Sequence, residues 1–150
     1  MNISKALKVK NRLIGEVNRL QEIVRRENSR RDDNPSTVDV ENAVLNLEAT
    51  RIKLIALKGE VNKASAPISG KLAMLGEIKS QINFYNSLPT REGEELTLIG
   101  ANREKLSFQW KAFFNKEKID LFVKSQQEII DQTQDEIDDF NARTQVNFTE

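Results

Sequence analysis

Apolar positions recur at helical spacing through most of the chain and switch period once, near residue 95. In residues 3–31, Leu13, Val17, Leu20 and Val24 stand 4, 3 and 4 apart, the seam of a coiled coil. Ile3, Leu7 and Ile14 widen that stripe, and Asn2 or Ser4 can cap its start. The run Asp32-Asp33-Asn34-Pro35-Ser36 ends it, because proline restricts the residue before it and has no N–H to donate. A second helix is predicted from Ser36 or Thr37, where Ser36–Asp39 approximates a capping box. It runs to about Lys63 with Val40, Val44, Leu47, Leu54 and Val61 in period. After a break at residues 64–69, Ser69 caps a third helix carrying Leu72, Leu75, Ile78, Ile82 and Tyr85 on one side.

Beyond residue 95 the pattern alternates. Leu106, Phe108, Trp110 and Ala112 point one way and Ser107, Gln109 and Lys111 the other, the period of a half-buried strand. Residues 100–105 separate this run from the preceding "ELTLIG" as a hairpin loop, so a β-hairpin insertion spans about residues 95–114. A last helix follows from a cap at Asn115 to about residue 143, with Ile119, Val123, Ile130, Ile137 and Phe140 in period. The pattern therefore predicts a mainly α protein in the order α-α-α-β-β-α. Long antiparallel helices form a coiled-coil-like hairpin or bundle, carry one small β-hairpin, and make residues 1–150 a single helical domain.

Composition narrows the chemistry. The chain has neither cysteine nor histidine. That excludes disulfides and thiol catalysis, and removes the usual general base near neutral pH, the commonest metal ligand and every Ser–His arrangement. A non-enzyme without cofactor is expected. No apolar run approaches the roughly 20 residues that span a bilayer, and the N-terminus lacks the apolar core of a signal peptide. A cytoplasmic protein without membrane contact is expected, so the sequon at Asn147-Phe148-Thr149 has no secretory context.

The formal net charge of zero conceals two opposed ends. Residues 1–31 carry nine Lys/Arg and three Glu, a balance of +6, and residues 126–150 carry one Arg and seven Asp/Glu, a balance of −6. Lys5, Arg12, Arg19 and Arg26 are seven apart and form a line on the first helix with steps of roughly 10 Å. Arg25, Arg30 and Arg31 thicken its far end. Glu128, Asp131, Asp135 and Asp138 form an acidic line on the last helix, opposite its apolar positions. A solvated face, an acidic partner helix and an anionic ligand all suit the basic line; pairing between the two lines in a homo-oligomer suits both. Metal binding by Asp131, Asp135 and Asp138 would make a carboxylate enzyme, but calcium-loop spacing is absent.

Five of the nine aromatics lie between Phe108 and Phe122. Core or subunit-interface packing suits them, since a two-stranded hairpin is marginal alone and needs cover. A stacking platform for bases also suits them, given Lys105, Lys111, Lys116 and Lys118 nearby. "SAPISGKL" lacks the glycine and hydroxyl residue of a phosphate loop, with Ser65 and Leu72 in those places. DNA binding is disfavoured, because the acidic last helix repels phosphates.

The opening "MNISKALKVKNRLIGEVNRLQ", the loop "EVNKASA" and the tail "DEIDDFNARTQV" resemble the septicolysin-like family of small bacterial helical proteins. Ala64 and Ser65 stand where that family tends to show Thr-Asn. The resemblance implies a long helical hairpin and oligomers. Taken together, these features lead us to expect a non-enzymatic homo-oligomeric protein that binds rather than transforms. One alternative is a sponge for a small anionic nucleotide-type ligand, of phage or bacterial origin. That ligand would lie at a subunit interface among Arg25, Arg26, Arg30 or Arg31, with Phe108 or Trp110 stacking on it. A second alternative is a coiled-coil protein that binds RNA along its first helix.

Overall fold

A computed structural model describes residues 1–149. The order is α1 (Ile3–Glu27), α2 (Val40–Ser65), a 3-10 turn (Ala66–Ile68), α3 (Ser69–Ser87), β1 (Gly93–Ile99), β2 (Glu104–Trp110) and α4 (Lys116–Arg143). This is the order the period of the apolar residues predicts. Residues group into two compact units: Met1–Ser69 with the segment from Ile137 onward, and Gly70–Glu136.

In the first unit α1 and α2 pack antiparallel. Ile3, Ala6 and Val9 at the start of α1 meet Leu57 and Val61 near the end of α2, with Val146 completing the cluster. Farther along, Val17 and Leu20 meet Leu47 and Leu54. These are the seam positions read from the sequence. The start of the chain is fixed by the segment after α4. Ile3 N–H donates to the Thr144 carbonyl at 3.0 Å, Val146 N–H to the Met1 carbonyl at 2.7 Å, and Asn2 Nδ2 to the Ala142 carbonyl at 2.9 Å. Asn2 also caps α1, its Oδ1 accepting from Lys5 N–H. One asparagine thus satisfies a helix-end donor and anchors a distant strand of chain.

Helix α1 stops at Glu27, four residues before the predicted Arg31. Asn28 and Ser29 are weak helix formers, and the Glu27 side chain turns to bind the loop that follows. The capping box predicted at Ser36 is replaced by Asp39, whose Oδ1 accepts from Asn42 N–H. Ser36 serves the loop instead, its hydroxyl donating to Glu27. The predicted break at residues 64–69 is only a 3-10 turn with Pro67 in its first positions, so helical backbone continues from α2 into α3. Proline is tolerated there because its missing N–H lies among those a helix start leaves unpaired.

In the second unit α3 and α4 run antiparallel. Tyr85 late in α3 meets Phe122 early in α4 at 4.4 Å between ring centroids, while Lys71 and Glu136 form an ion pair at the other end. Asn115 caps α4 as predicted, accepting from Lys118 N–H at 3.0 Å. Ile119, Ile130 and Thr133 are its buried positions within this unit. The hairpin is antiparallel, with Glu95 opposite Phe108, Thr97 opposite Leu106 and Gly93 opposite Trp110. Its loop, residues 100–103, turns through left-handed conformations at Gly100 (φ 75°) and Arg103 (φ 51°). Glycine adopts this conformation without a steric cost, whereas arginine does not.

Candidate functional site

The aromatic face of the hairpin is built by register. Paired residues share a face, so Trp110, Phe108 and Leu106 line up beside Glu95 and Thr97. Leu96 and Leu98 occupy the opposite face with Ser107 and Lys105. Every residue of β2 is exposed, Phe108 at 48% and Trp110 at 47%. Of the packings expected for these rings, burial in the chain's own core is not what Phe108 and Trp110 show: each is about half exposed. Tyr85 and Phe122 meet between α3 and α4, with the Phe114 ring 5.5 Å from that of Tyr85. Phe113, between β2 and α4, is 80% exposed.

Trp110 is nevertheless held in place. Its Nε1–H donates to Glu95 Oε2 at 2.5 Å, and the Arg91 guanidinium lies over its ring, 4.9 Å from the centroid. Arg91 in turn pairs with Glu95 at 2.9 Å. A carboxylate thus fixes both the edge of the indole and the cation on its face. Phe108, two residues along, has no such cover.

The cationic cluster at the end of α1 surrounds a buried carboxylate. Glu27 accepts from Arg26 Nε at 2.7 Å, Arg30 Nη2 at 3.0 Å and Ser36 Oγ at 2.7 Å. The Ser36 hydrogen bond, then that from Arg26, holds the Glu27 carboxyl below its ordinary value of 4.5. Arg25 pairs with Glu22 at 2.7 Å, and Arg31 pairs with Asp33. The four arginines predicted to bind an anion therefore stand together, but each carries an acidic partner. Arg25, Arg26, Arg30 and Arg31 belong to the first unit, and Phe108 and Trp110 to the second.

The basic column divides likewise. Arg19 makes a two-pronged pair with Glu16 at 2.9 and 2.6 Å, which lowers the Glu16 carboxyl and raises the arginine. Lys5 and Arg12 line a cleft with Lys8 and Val9. Arg12 also lines a recess of about 230 Å³ with Leu13, Lys53 and Phe148. In the acidic column, Glu128, Asp131, Asp135 and Asp138 are exposed as predicted, and Asp131 accepts from Gln127 at 2.8 Å. Among the described residues no group of three acidic side chains is placed to hold a metal ion. Nor is any described helix long and apolar enough to cross a membrane.

One surface escaped the sequence reading. Leu45, Ile52 and Ile55 on α2 are 64%, 67% and 66% exposed, with half-covered Val44 beside them. At 100° per residue they lie across the helix from Leu47, Leu54 and Val61, which face α1. The signal was present as a 7-and-3 spacing, but the stronger seam toward α1 masked it. Compared with family models, curated proteins and solved structures, the chain matches none.

Proposed function

We propose that this protein is a non-enzymatic homo-oligomeric assembly and binding protein. The observation that carries this is surface. Large apolar side chains stand exposed on two elements: Leu45, Ile52 and Ile55 on the outward face of α2, and Leu96, Leu98, Leu106, Phe108 and Trp110 on the hairpin. Contiguous exposed apolar surface of this kind marks interaction sites. The oligomers implied by the septicolysin-like resemblance agree with this reading.

The ion pairs of the basic column bear on the alternatives. A sponge for an anion, or a surface for RNA, draws on cations that lack carboxylate partners. Glu16, Glu22, Glu27 and Asp33 neutralise most of the arginines those readings require. Native mass spectrometry of protein taken directly from cells tests the proposal. A defined oligomer without added mass is expected. A monomer across the micromolar range overturns it, and an oligomer carrying a nucleotide-sized adduct reassigns the protein to sequestration.

A further inference from the structure

We propose that the outward face of α2 packs against the same face of a second copy, with the two helices antiparallel and a two-fold axis near residues 53 and 54. The inference rests on the assembly reading and names the surface that would make the assembly.

The face carries three large apolar side chains, Leu45, Ile52 and Ile55, with Glu48 between the first two. Leu45, Glu48, Ile52, Ile55, Gly59 and Asn62 follow one another at spacings of 3, 4, 3, 4 and 3, and all are exposed. Those are the spacings of a coiled-coil seam. Ala49 and Ala56, two turns apart, flank it with small side chains that let a second backbone approach. Helix α2 is thus apolar on two opposite sides. One side is covered by α1 through Leu47, Leu54, Leu57 and Val61, and the other is open to water. A helix apolar on both sides belongs inside a bundle, between two neighbours.

Charge selects both the occupant and its direction. Asp39 and Glu41 stand at the start of the helix, and Lys58, Glu60 and Lys63 near its end, where Lys63 pairs with Glu60 at 2.7 Å. An antiparallel copy brings Glu41 of one chain beside Lys63 of the other, and Ile52 beside Ile55. A parallel copy sets Glu41 against Glu41 and Lys63 against Lys63. Opposed helix dipoles favour the same antiparallel choice.

Gly59, like Gly15, Gly70 and Gly76 in the other helices, has open space where a Cβ would stand, and in the antiparallel pair it lies opposite Glu48 of the other copy.

The experiment uses the full chain, whose lack of cysteine makes single-site labelling clean. Spin labels are placed at Lys53→Cys and, separately, at Asn46→Cys, both on the side of α2 between the seam and α1. Antiparallel pairing predicts a short distance for the first and one longer by roughly 10 Å for the second, since the two sites of a pair are then about 15 residues, roughly 22 Å, apart along the axis. Ile52→Glu is expected to reduce the number of subunits at unchanged helical content, because the side chain is exposed within the chain. Two short distances mean parallel pairing and overturn the antiparallel arrangement. An intact oligomer with no short distance, or one unaffected by Ile52→Glu, overturns the α2 contact while leaving the assembly standing. A wild-type monomer overturns the assembly itself. If Ile52→Glu fails to fold, the labelled distances decide alone.

Discussion

Glu27 shows how one residue sets the end of an element. Its carboxylate gathers Arg26, Arg30 and Ser36, and Ser36 Oγ also accepts from Val38 N–H at 3.1 Å, so the loop between α1 and α2 is tied to the last turn of α1. Because these bonds favour the ionised form, the group titrates lower folded than unfolded. The stability it confers is complete above the unfolded value near 4.5 and fades as pH falls through the folded one. Urea midpoints at pH 7 and pH 3 are therefore expected to differ less in Glu27→Gln than in the wild type. A residual difference should remain, since Glu16 is lowered by Arg19 in the same sense. In the core, Leu57 is fully buried between α1 and α2. Leu57→Ala is expected to cost about 2–5 kcal/mol by equilibrium denaturation. At the helix start, Asp39→Ala removes the cap of α2 and is expected to cost about 0.5–2 kcal/mol.

At the scale of elements, α2 and the hairpin hold most of the functional interest. The hairpin keeps its single tryptophan fixed without burying it, through Glu95 at the indole edge and Arg91 over the ring. Glu95→Ala is expected to broaden the environment of Trp110, seen as weakened near-ultraviolet circular dichroism with the far-ultraviolet spectrum unchanged. Retention of the near-ultraviolet signal would show that the strand pairing alone fixes the ring. The existence and order of all six regular elements were legible because each has a distinct period. Their ends were less so. The stop of α1 at Glu27 and the cap at Asp39 depend on which side chain wins a hydrogen bond, and local sequence offers Ser36, Thr37 and Asp39 on nearly equal terms.

For the whole molecule, the exposed apolar side chains of α2 and the hairpin predict concentration-dependent behaviour. If assembly covers the hairpin, Trp110 emission should shift to longer wavelength on dilution into monomer. An unchanged spectrum through the dissociation range, followed by sedimentation, would place the hairpin outside the subunit contacts. The opposed charges of the two chain ends persist once side chains are placed. Pairs within one or two helical turns, such as Arg19 with Glu16 and Arg143 with Asp139, join charges within the same end and leave its net balance unchanged. Exposed pairs of this kind contribute under about 1 kcal/mol each, so they shape recognition more than stability.

The sequence by itself determined the helices, the hairpin and the α1 seam, because a buried stripe must repeat at the period of its element. It also determined the absence of thiol and imidazole chemistry, which follows from residue types alone. Only the tertiary structure decided which apolar faces have partners. Periodicity marks a face as apolar whether it meets α1, as Leu54 does, or water, as Ile52 does. The same holds for charge: composition counts the arginines at the end of α1, but only their placement around Glu27, Glu22 and Asp33 shows how they are neutralised.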